Sequence, residues 1–339
     1  MMESSVKDTS CAVKPVNMIK AILVKYNSLL IFVVLIIISS IISPYFLTRR
    51  NVFSVLLQQI PYLLVSLGVM LTIMTGGIDL STGSVAGASG VLTAIVATTY
   101  GKENSEWLYA AIGCVLLFGC AIGLINGLLI AKVRMPPFIV TLAMLSVGQG
   151  IAFMMTNGAQ IPLTDNFAAA KPLTWFAAFR LSLGVPLAVI VVAIIIAVFW
   201  FIMRYTAFGR LILAVGSNEA AVRLAGINVA KYKTLAYTIS GGLASLAGVF
   251  IAGRTALGAP IIARDNDYAL TAVAACVIGG VLLEGGKGTV MFTVIGVFIL
   301  ALITNIMNLL GIAAYPQLVA KGIITILAVY LSKLGENGI

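Results

Sequence analysis

The sequence has few charged residues, and it contains no histidine. Of its 339 residues, 9% are Asp, Glu, Lys or Arg and 61% are hydrophobic, with a mean hydropathy of +1.11. Because soluble domains carry about a quarter charged residues, a soluble fold of this length is excluded. Without His the chain lacks the commonest general base and metal ligand. We therefore expect no catalytic residue, no bound metal and no cofactor.

Cysteine and clustered positive charge are also scarce. The four cysteines are widely separated, which argues against a disulfide framework and against the usual spacing of metal ligands. The 21 Lys and Arg residues bring the net charge to +10, but they are scattered over many segments and form no dense basic stripe. A nucleic-acid partner is therefore not expected.

The sequence instead contains long apolar segments. A helical span needs about 20 apolar residues to cross about 30 Å of hydrocarbon. Segments of this kind lie at residues 28–47, 55–74, 83–100, 108–131, 137–156, 185–203, 234–252, 268–283, 289–310 and 316–331. The sequence predicts an all-α polytopic membrane protein with about ten transmembrane helices.

The positions of Lys and Arg orient these spans. With the N-terminus in the cytoplasm, most of the 21 basic residues fall in loops on the cytoplasmic side, as the positive-inside rule requires. Residues 1–27 are polar and lack the hydrophobic core and cleavage site of a signal peptide. We expect a cytoplasmic tail at 1–27, a membrane domain at 28–333 and a cytoplasmic C-terminal end at 334–339.

The longest polar interruption, residues 204–233, is then a cytoplasmic loop. Within it, Ser217 or Asn218 could accept hydrogen bonds from the free amides of a short helix, and Glu219 would favour the positive end of the helix dipole. Gly226 would end that helix. The pattern predicts a capped helix suited to contact with another protein, and a simple surface connection is the alternative.

A second candidate segment contains Gly76, Gly77, Asp79 and Ser81. Asp79 lies at or near membrane depth, where an ionised carboxylate is costly and must be held by partners. The glycines and hydroxyls permit a break in the helix. Asp79 could couple an ion gradient to transport. Alternatively, it could be a structural acid that accepts hydrogen bonds from residues 81–83, which we favour because proton-coupled carriers usually need more than one such acid.

Polar and small side chains within the spans suggest two further features. Amides and hydroxyls suit a path for a neutral polar solute, and they could equally form hydrogen bonds between helices; the candidates are Gln58, Asn126, Thr141, Gln149, Asn305 and Asn308. Glycines at 119, 123 and 127 share one face of a span. Their spacing predicts close packing against a neighbouring helix.

Four stretches of the sequence resemble the transmembrane permeases of ABC importers, in the branch that carries ribose, galactose and xylose. They are Gly216-Ser217-Asn218-Glu219-Ala220-Ala221 with Gly226, Gly76-Gly77-Ile78-Asp79-Leu80-Ser81, residues 126–138, and Gly279-Gly280. The resemblance implies that the capped helix docks on a separate ATPase subunit through Gly216, Asn218, Glu219, Ala220, Ala221 and Gly226. It also implies a bacterial plasma (inner) membrane location and import of a monosaccharide.

The resemblance implies partners as well. These are the ATPase chain, an extracellular or periplasmic binding protein, a second permease copy in a homodimer or heterodimer, and membrane lipid. The ATPase is expected on another chain because Glu284-Gly285-Gly286-Lys287-Gly288-Thr289 does not match a phosphate-binding loop and is predicted to be a turn. We expect the binding protein to dock on residues 157–182 and 253–267, whose cations are Lys171, Arg180, Arg254 and Arg264.

One stretch departs from the family pattern. Related permeases carry an acid pair in the Tyr-Glu-Leu-Asp pattern, whereas the matching stretch here is Tyr268-Ala269-Leu270-Thr271. This departure affects the identity of the solute. The alternatives are therefore an ABC permease for branched-chain amino acids or nucleosides, and a stand-alone secondary carrier or channel.

Overall fold

The computed structural model describes residues 27–181, 184–265 and 267–337. The expected tail at 1–27 lies outside this part except for its last residue, and so do residues 338 and 339 of the expected C-terminal end. The described residues form helices α1 Asn27–Ile42, α2 Arg49–Met74, α3 Thr82–Thr99, α4 Trp107–Ala131, α5 Pro137–Met154, α6 Ala170–Ala178, α7 Leu187–Tyr205, α8 Ala207–Ser217, α9 Glu219–Leu224, α10 Val229–Thr255, α11 Ile261–Asp265, α12 Asp267–Ile278, α13 Val290–Leu309 and α14 Ala314–Asn337.

Within the described residues, seven helices are long and apolar enough to cross a membrane, namely α2, α3, α4, α5, α7, α10 and α13. The other three predicted spans contain α1, α12 and α14, which are apolar over shorter described lengths. A mostly helical polytopic membrane protein is confirmed, and the count of ten spans stays a prediction.

Helix α10 lies at the centre of the bundle and packs against α2, α3 and α4. The glycine face predicted from residues 119, 123 and 127 is confirmed as the α4 contact. A Cβ at Gly127 would stand 2.6 Å from the Cα of Thr234, and one at Gly123 would stand 2.9 Å from the Cα of Thr238. Glycine on α4 lets the two backbones come this close, so α4 and α10 form a tightly packed pair.

The two ends of the bundle differ in their connections. At one end, strand β1 (Ile161–Pro162) pairs antiparallel with strand β2 (Leu257–Gly258), which ties the segment after α5 to the segment after α10. We call this the β1–β2 end. At the other end, the α9 end, the loops after α2 and α4 line a cavity of about 360 Å³ with α9 and α10. The loop after α12 packs there against the ends of α2 and α8.

Candidate functional site

The α9 end contains a break between α2 and α3 that holds the predicted Asp79 segment. Gly76 has a positive φ of 80°, which ends α2 in a left-handed turn. The amide of Gly76 donates to the carbonyl of Ile73 (2.8 Å), and the amide of Gly77 donates to that of Thr72 (3.0 Å). The chain then runs without helical hydrogen bonds until α3 begins at Thr82. The break satisfies the last carbonyls of α2 and directs Asp79 into the bundle.

The Asp79 carboxylate is 1% exposed and is held by neutral donors. Its Oδ1 accepts hydrogen bonds from the Ser81 amide (3.1 Å) and the Ser81 hydroxyl (2.6 Å). Its Oδ2 accepts a hydrogen bond from the Ser240 hydroxyl of α10 (2.8 Å). Both oxygens therefore act as acceptors. A buried carboxylate needs such donors to offset its loss of water.

Two of the predicted path residues support this cluster. Asn126 of α4 donates from Nδ2 to the Ser81 hydroxyl (3.0 Å), and Thr141 of α5 donates to the Ile78 carbonyl (3.1 Å). The phenol ring of Tyr237 on α10 lies against Gly77, where a Cβ would collide with its hydroxyl oxygen. The Asp79 segment is thus the point at which α4, α5 and α10 are tied together.

The other predicted path residues lie elsewhere in the bundle. Asn305 and Asn51 exchange two amide hydrogen bonds of 2.9 Å between α13 and α2. Asn308 accepts a hydrogen bond from Gln317 (2.7 Å). Gln149 is half-buried on α5, and Gln58 lines a cavity at the β1–β2 end. The structure does not bring the six residues into one pocket.

The cytoplasmic loop predicted at residues 204–233 contains α8, α9 and the start of α10. Asn218, and not Ser217, caps α9, with its side chain accepting from the Ala221 amide at 2.9 Å. Gly226 follows the helix with a positive φ of 77°. The predicted short helix is present, with the predicted signals at both of its ends.

Glu219 binds α9 to α10. Its carboxylate pairs with Lys233 (2.6 Å) on α10 and with Arg223 (2.5 Å) one turn along α9. The pKa of Glu219 lies below its usual value of 4.5, mainly because Lys233 donates a hydrogen bond to its carboxylate. Arg223 lowers the pKa further. Because the pKa is lowered, the ion pairs stabilise the fold at pH values above the pKa of Glu219 in the unfolded chain. This contribution is lost as the pH falls through the pKa of Glu219 in the folded protein.

Replacing Glu219 with Gln is expected to loosen α9 without unfolding α10. Because exposed ion pairs contribute less than about 1 kcal/mol, amide exchange in α9 should rise about two- to fivefold. Hydrogen–deuterium exchange of the purified protein measures this. The difference between wild type and Glu219→Gln should disappear when both are compared at a pH below the lowered pKa. Equal exchange at pH 7 would show that the ion pairs do not hold α9.

Gly216 lies where three segments meet. A Cβ there would collide with the Met74 carbonyl oxygen at the end of α2, and it would stand 2.5 Å from the Gly286 amide nitrogen. The Gly286 amide in turn donates to the Met74 carbonyl (3.0 Å). The turn predicted at residues 284–289 is therefore packed between the Asp79 segment and α8. This contact connects the loop that carries α9 to the break after α2.

One face of α9 is exposed and apolar. Val222 is buried in a small cluster with Val215 and Val229, which anchors the helix. On the open side Ala220 and Ala221 are exposed, and Leu224 is 90% exposed. The open side of α9 therefore presents small and apolar side chains.

The profile of the family described as "Branched-chain amino acid transport system / permease component" matches residues 51–329. The chain belongs to this permease family. It is 40% identical over 311 residues to the ribose import permease protein RbsC of Escherichia coli (strain K12), an alignment that covers 91% of this chain and 94% of that protein.

The permease also resembles two other proteins over most of its length. It is 36% identical over 303 residues to the ribose import permease protein RbsC of Bacillus subtilis (strain 168), which covers 88% of the permease and 90% of the relative. It is 34% identical over 314 residues to the L-arabinose transport system permease protein AraH of Escherichia coli (strain K12), with 92% of each covered. No solved structure matches the chain. The permease is accordingly a transport component.

Sequence reasoning missed three residues that the structure places at these sites. Ser240 donates a hydrogen bond to Asp79, Tyr237 packs on Gly77, and Leu224 is the exposed last residue of α9. Ser240 and Tyr237 face inward on α10 beside its small residues, so the run Ser240-Gly241-Gly242 was the available signal. Leu224 had no such signal, because an apolar residue near a helix end is expected to be buried.

Proposed function

We propose that the permease is the transmembrane subunit of an ATP-driven ABC importer that moves a monosaccharide into the bacterial cytoplasm. This proposal is supported by the 34–40% identity of the permease to proteins named as ribose and arabinose permeases, over nearly the full length of both sequences. The family description names branched-chain amino acids, so such an amino acid is the second candidate solute.

The exposed face of α9 is proposed to be the ATPase contact. Gly216, Asn218, Glu219 and Gly226 set the position of the helix, and Ala220 and Ala221 lie on the surface that the ATPase would touch. When the ATPase moves α9, the contacts of Gly216 with Met74 and Gly286 would carry the movement to the break after α2. The α9 end would then be cytoplasmic.

Asp79 is proposed to be structural. The neutral donors on both of its oxygens, together with Asn126 and Thr141, support a role in holding α10, α4 and α5 around the Gly76-Gly77 break. A proton carrier would need its carboxylate to exchange with water, and Asp79 is 1% exposed. Energy from ATP, supplied through α9, makes a proton site unnecessary.

The membrane topology follows from this orientation. We propose ten crossings, made by the seven long helices together with α1, α12 and α14, with residues 1–27 and 334–339 in the cytoplasm. The β1–β2 end would face outward. There a soluble binding protein would meet a surface that includes exposed Lys171 and Arg180; the side chain of Arg264 lies outside the described residues. A second permease copy would complete the path.

Uptake of labelled solutes by cells tests the proposed function. Cells that express the permease with its native partners should accumulate a labelled pentose, and the uptake should require ATP and saturate. Leucine in excess should leave pentose uptake unchanged. If leucine is accumulated and the pentose is not, the amino-acid alternative is correct. Uptake that continues after ATP is exhausted would favour a secondary carrier.

A further inference from the structure

The half of the bundle toward the β1–β2 end contains an apolar cavity of about 430 Å³ between α4 and α7. Side chains of α2 and α10 form its floor, and α6, which packs on the last turns of α10, closes it at the β1–β2 end. Helix α4 packs on α3, α5, α6 and α10, whereas α7 packs on α2, α6, α8 and α13. Both helices expose apolar side chains, Leu117 and Ile194 among them. The cavity therefore opens between two outer helices, on the side of the bundle that faces the bilayer.

The lining of this cavity suits neither water nor a sugar. The lining residues that the structure describes include no charged side chain, no amide and no hydroxyl group. A buried water needs about two to four polar partners, and a polyhydroxylated solute needs more. An empty gap of this volume would leave the side chains along it without packing partners. An apolar chain is the occupant that such a lining fits.

Aromatic residues place the closed end of the cavity at the membrane–water interface. Trp175 of α6 lines the cavity and is 54% exposed. The centroid of its ring lies 4.3 Å from that of Phe179. Exposed Trp residues are enriched at the level of the lipid headgroups. The cavity therefore runs from the headgroup level into the hydrocarbon, which is the course of a phospholipid acyl chain.

Two arginines lie beside the turn that joins α6 to α7. The guanidinium of Arg49, at the start of α2, lies against Gly184, where a Cβ would stand 3.1 Å from one of its nitrogens. Arg180 is exposed in the same turn. Neither arginine forms an ion pair with another described residue. Residues 27–78 and 166–218, which form the helices on either side of this turn, contain neither Asp nor Glu. The turn is therefore cationic.

The opposite end of α6 has mixed charge. Lys171 is exposed there. The loop after α3, which contains Glu103 and Glu106, joins this end through a hydrogen bond from the Ala168 amide to the Lys102 carbonyl (3.0 Å). An anionic group at the closed end of the cavity is therefore favoured beside Arg49 and Arg180 and not beside Lys171.

We propose that the cavity binds one acyl chain of an anionic phospholipid, and that Arg49 and Arg180 bind the phosphate of that lipid. Guanidinium groups bind phosphate oxygens through paired N–H donors. Every phospholipid of the bilayer offers an acyl chain, so the arginines select the headgroup while the cavity holds the chain. Arg180 also belongs to the surface proposed to meet the binding protein, and the bound headgroup would form part of that surface. The site is independent of the transported solute.

Quenching of tryptophan fluorescence by lipids brominated on the acyl chain tests the proposal. The chain has three tryptophans. A full-length permease that keeps Trp175 alone reports on the cavity, and one that keeps Trp200 alone, exposed on α7 outside the cavity, reports on bulk lipid. In nanodiscs of phosphatidylcholine with a small share of brominated phosphatidylglycerol, quenching of Trp175 should show that lipid enriched about tenfold or more. Brominated phosphatidylcholine at the same share should show no enrichment.

Substitutions of the arginines test the headgroup contact. Arg49→Gln and Arg180→Gln should each lower the enrichment about fivefold, because one cation near an anionic lipid supplies about this factor. The matched control is Lys171→Gln, which removes an exposed cation from the other end of α6 and should leave the enrichment unchanged.

A filled cavity tests the position of the acyl chain. Val191 lines the cavity on α7, and Val191→Phe should reduce quenching of Trp175 by both brominated lipids because the ring takes the place of the chain. Val198→Phe is the matched control, since Val198 lies seven residues later on the same helix, is exposed and is outside the cavity. It should leave the quenching unchanged.

Equal enrichment of brominated phosphatidylglycerol at Trp175 and Trp200 would overturn the proposal, and so would an enrichment that is the same in Arg180→Gln and Lys171→Gln. The arginine side chains are exposed, so these variants remain decisive even if Val191→Phe does not fold. If Val191→Phe instead dissociates a permease dimer and leaves the quenching of Trp175 unchanged, a second copy fills the cavity and the lipid proposal is wrong.

Discussion

Leu224→Asp is expected to detach the ATPase from the permease while the permease still inserts and folds. Leu224 is 90% exposed and contributes little to the packing of α9, which Val222 anchors instead. In the proposed complex the aspartate would place a charge in an apolar contact. Central apolar contacts of this kind contribute about 2 kcal/mol or more, so co-purification of the ATPase should fall at least about tenfold.

Ala221→Arg should have the same effect, since Ala221 lies on the same open side of α9. Leu224→Met is the control, because it keeps an apolar side chain of similar size. Gly216 is a poorer test of contact: any side chain there would collide with the Met74 carbonyl and disturb the fold. Wild-type amounts of ATPase bound to purified Leu224→Asp would contradict the assignment of α9 as the coupling helix.

Asp79→Ala is expected to destabilise the permease by about 2–5 kcal/mol, because it leaves the Ser81 amide and hydroxyl and the Ser240 hydroxyl without their acceptor. Asp79→Asn should cost only about 1 kcal/mol. The amide oxygen can still accept from Ser81, and the Ser240 hydroxyl can rotate to accept from the new NH2 group. Thermal unfolding of the purified protein in detergent measures both changes.

The same pair of variants separates the two roles considered for Asp79. Asp79→Asn removes the titrating group. If Asp79 is structural, ATP-driven uptake should persist in this variant and should be unaffected by a protonophore added at constant ATP. Glu103→Gln, at an exposed carboxylate outside the expected docking surface, is the control and should change neither stability nor uptake. A well-folded Asp79→Asn variant without uptake, together with protonophore-sensitive wild type, would identify Asp79 as a proton site.

Several features of this permease follow from the sequence because they depend on residues close together in the chain. Hydropathy over about 20 residues predicted the long helices, since the cost of burying backbone polar groups in lipid forces helix formation. Glycines at every fourth position, at 119, 123 and 127, predicted a tight helix face, which is the α4 contact with α10. The cap at Asn218 and the stop at Gly226 predicted α9 from local hydrogen-bonding chemistry.

The partners in each contact were decided by the tertiary structure alone. Asp79 and Ser240 are 161 residues apart, and hydropathy does not state which helix will face Asp79. Leu224 is exposed because Val222, on the other side of the same short helix, fills the available cluster. The apolar cavity beside Trp175 exists because five helices meet there. Local patterns set which segments become helices, whereas side-chain packing between distant segments sets which residues meet, and that packing depends on the whole chain at once.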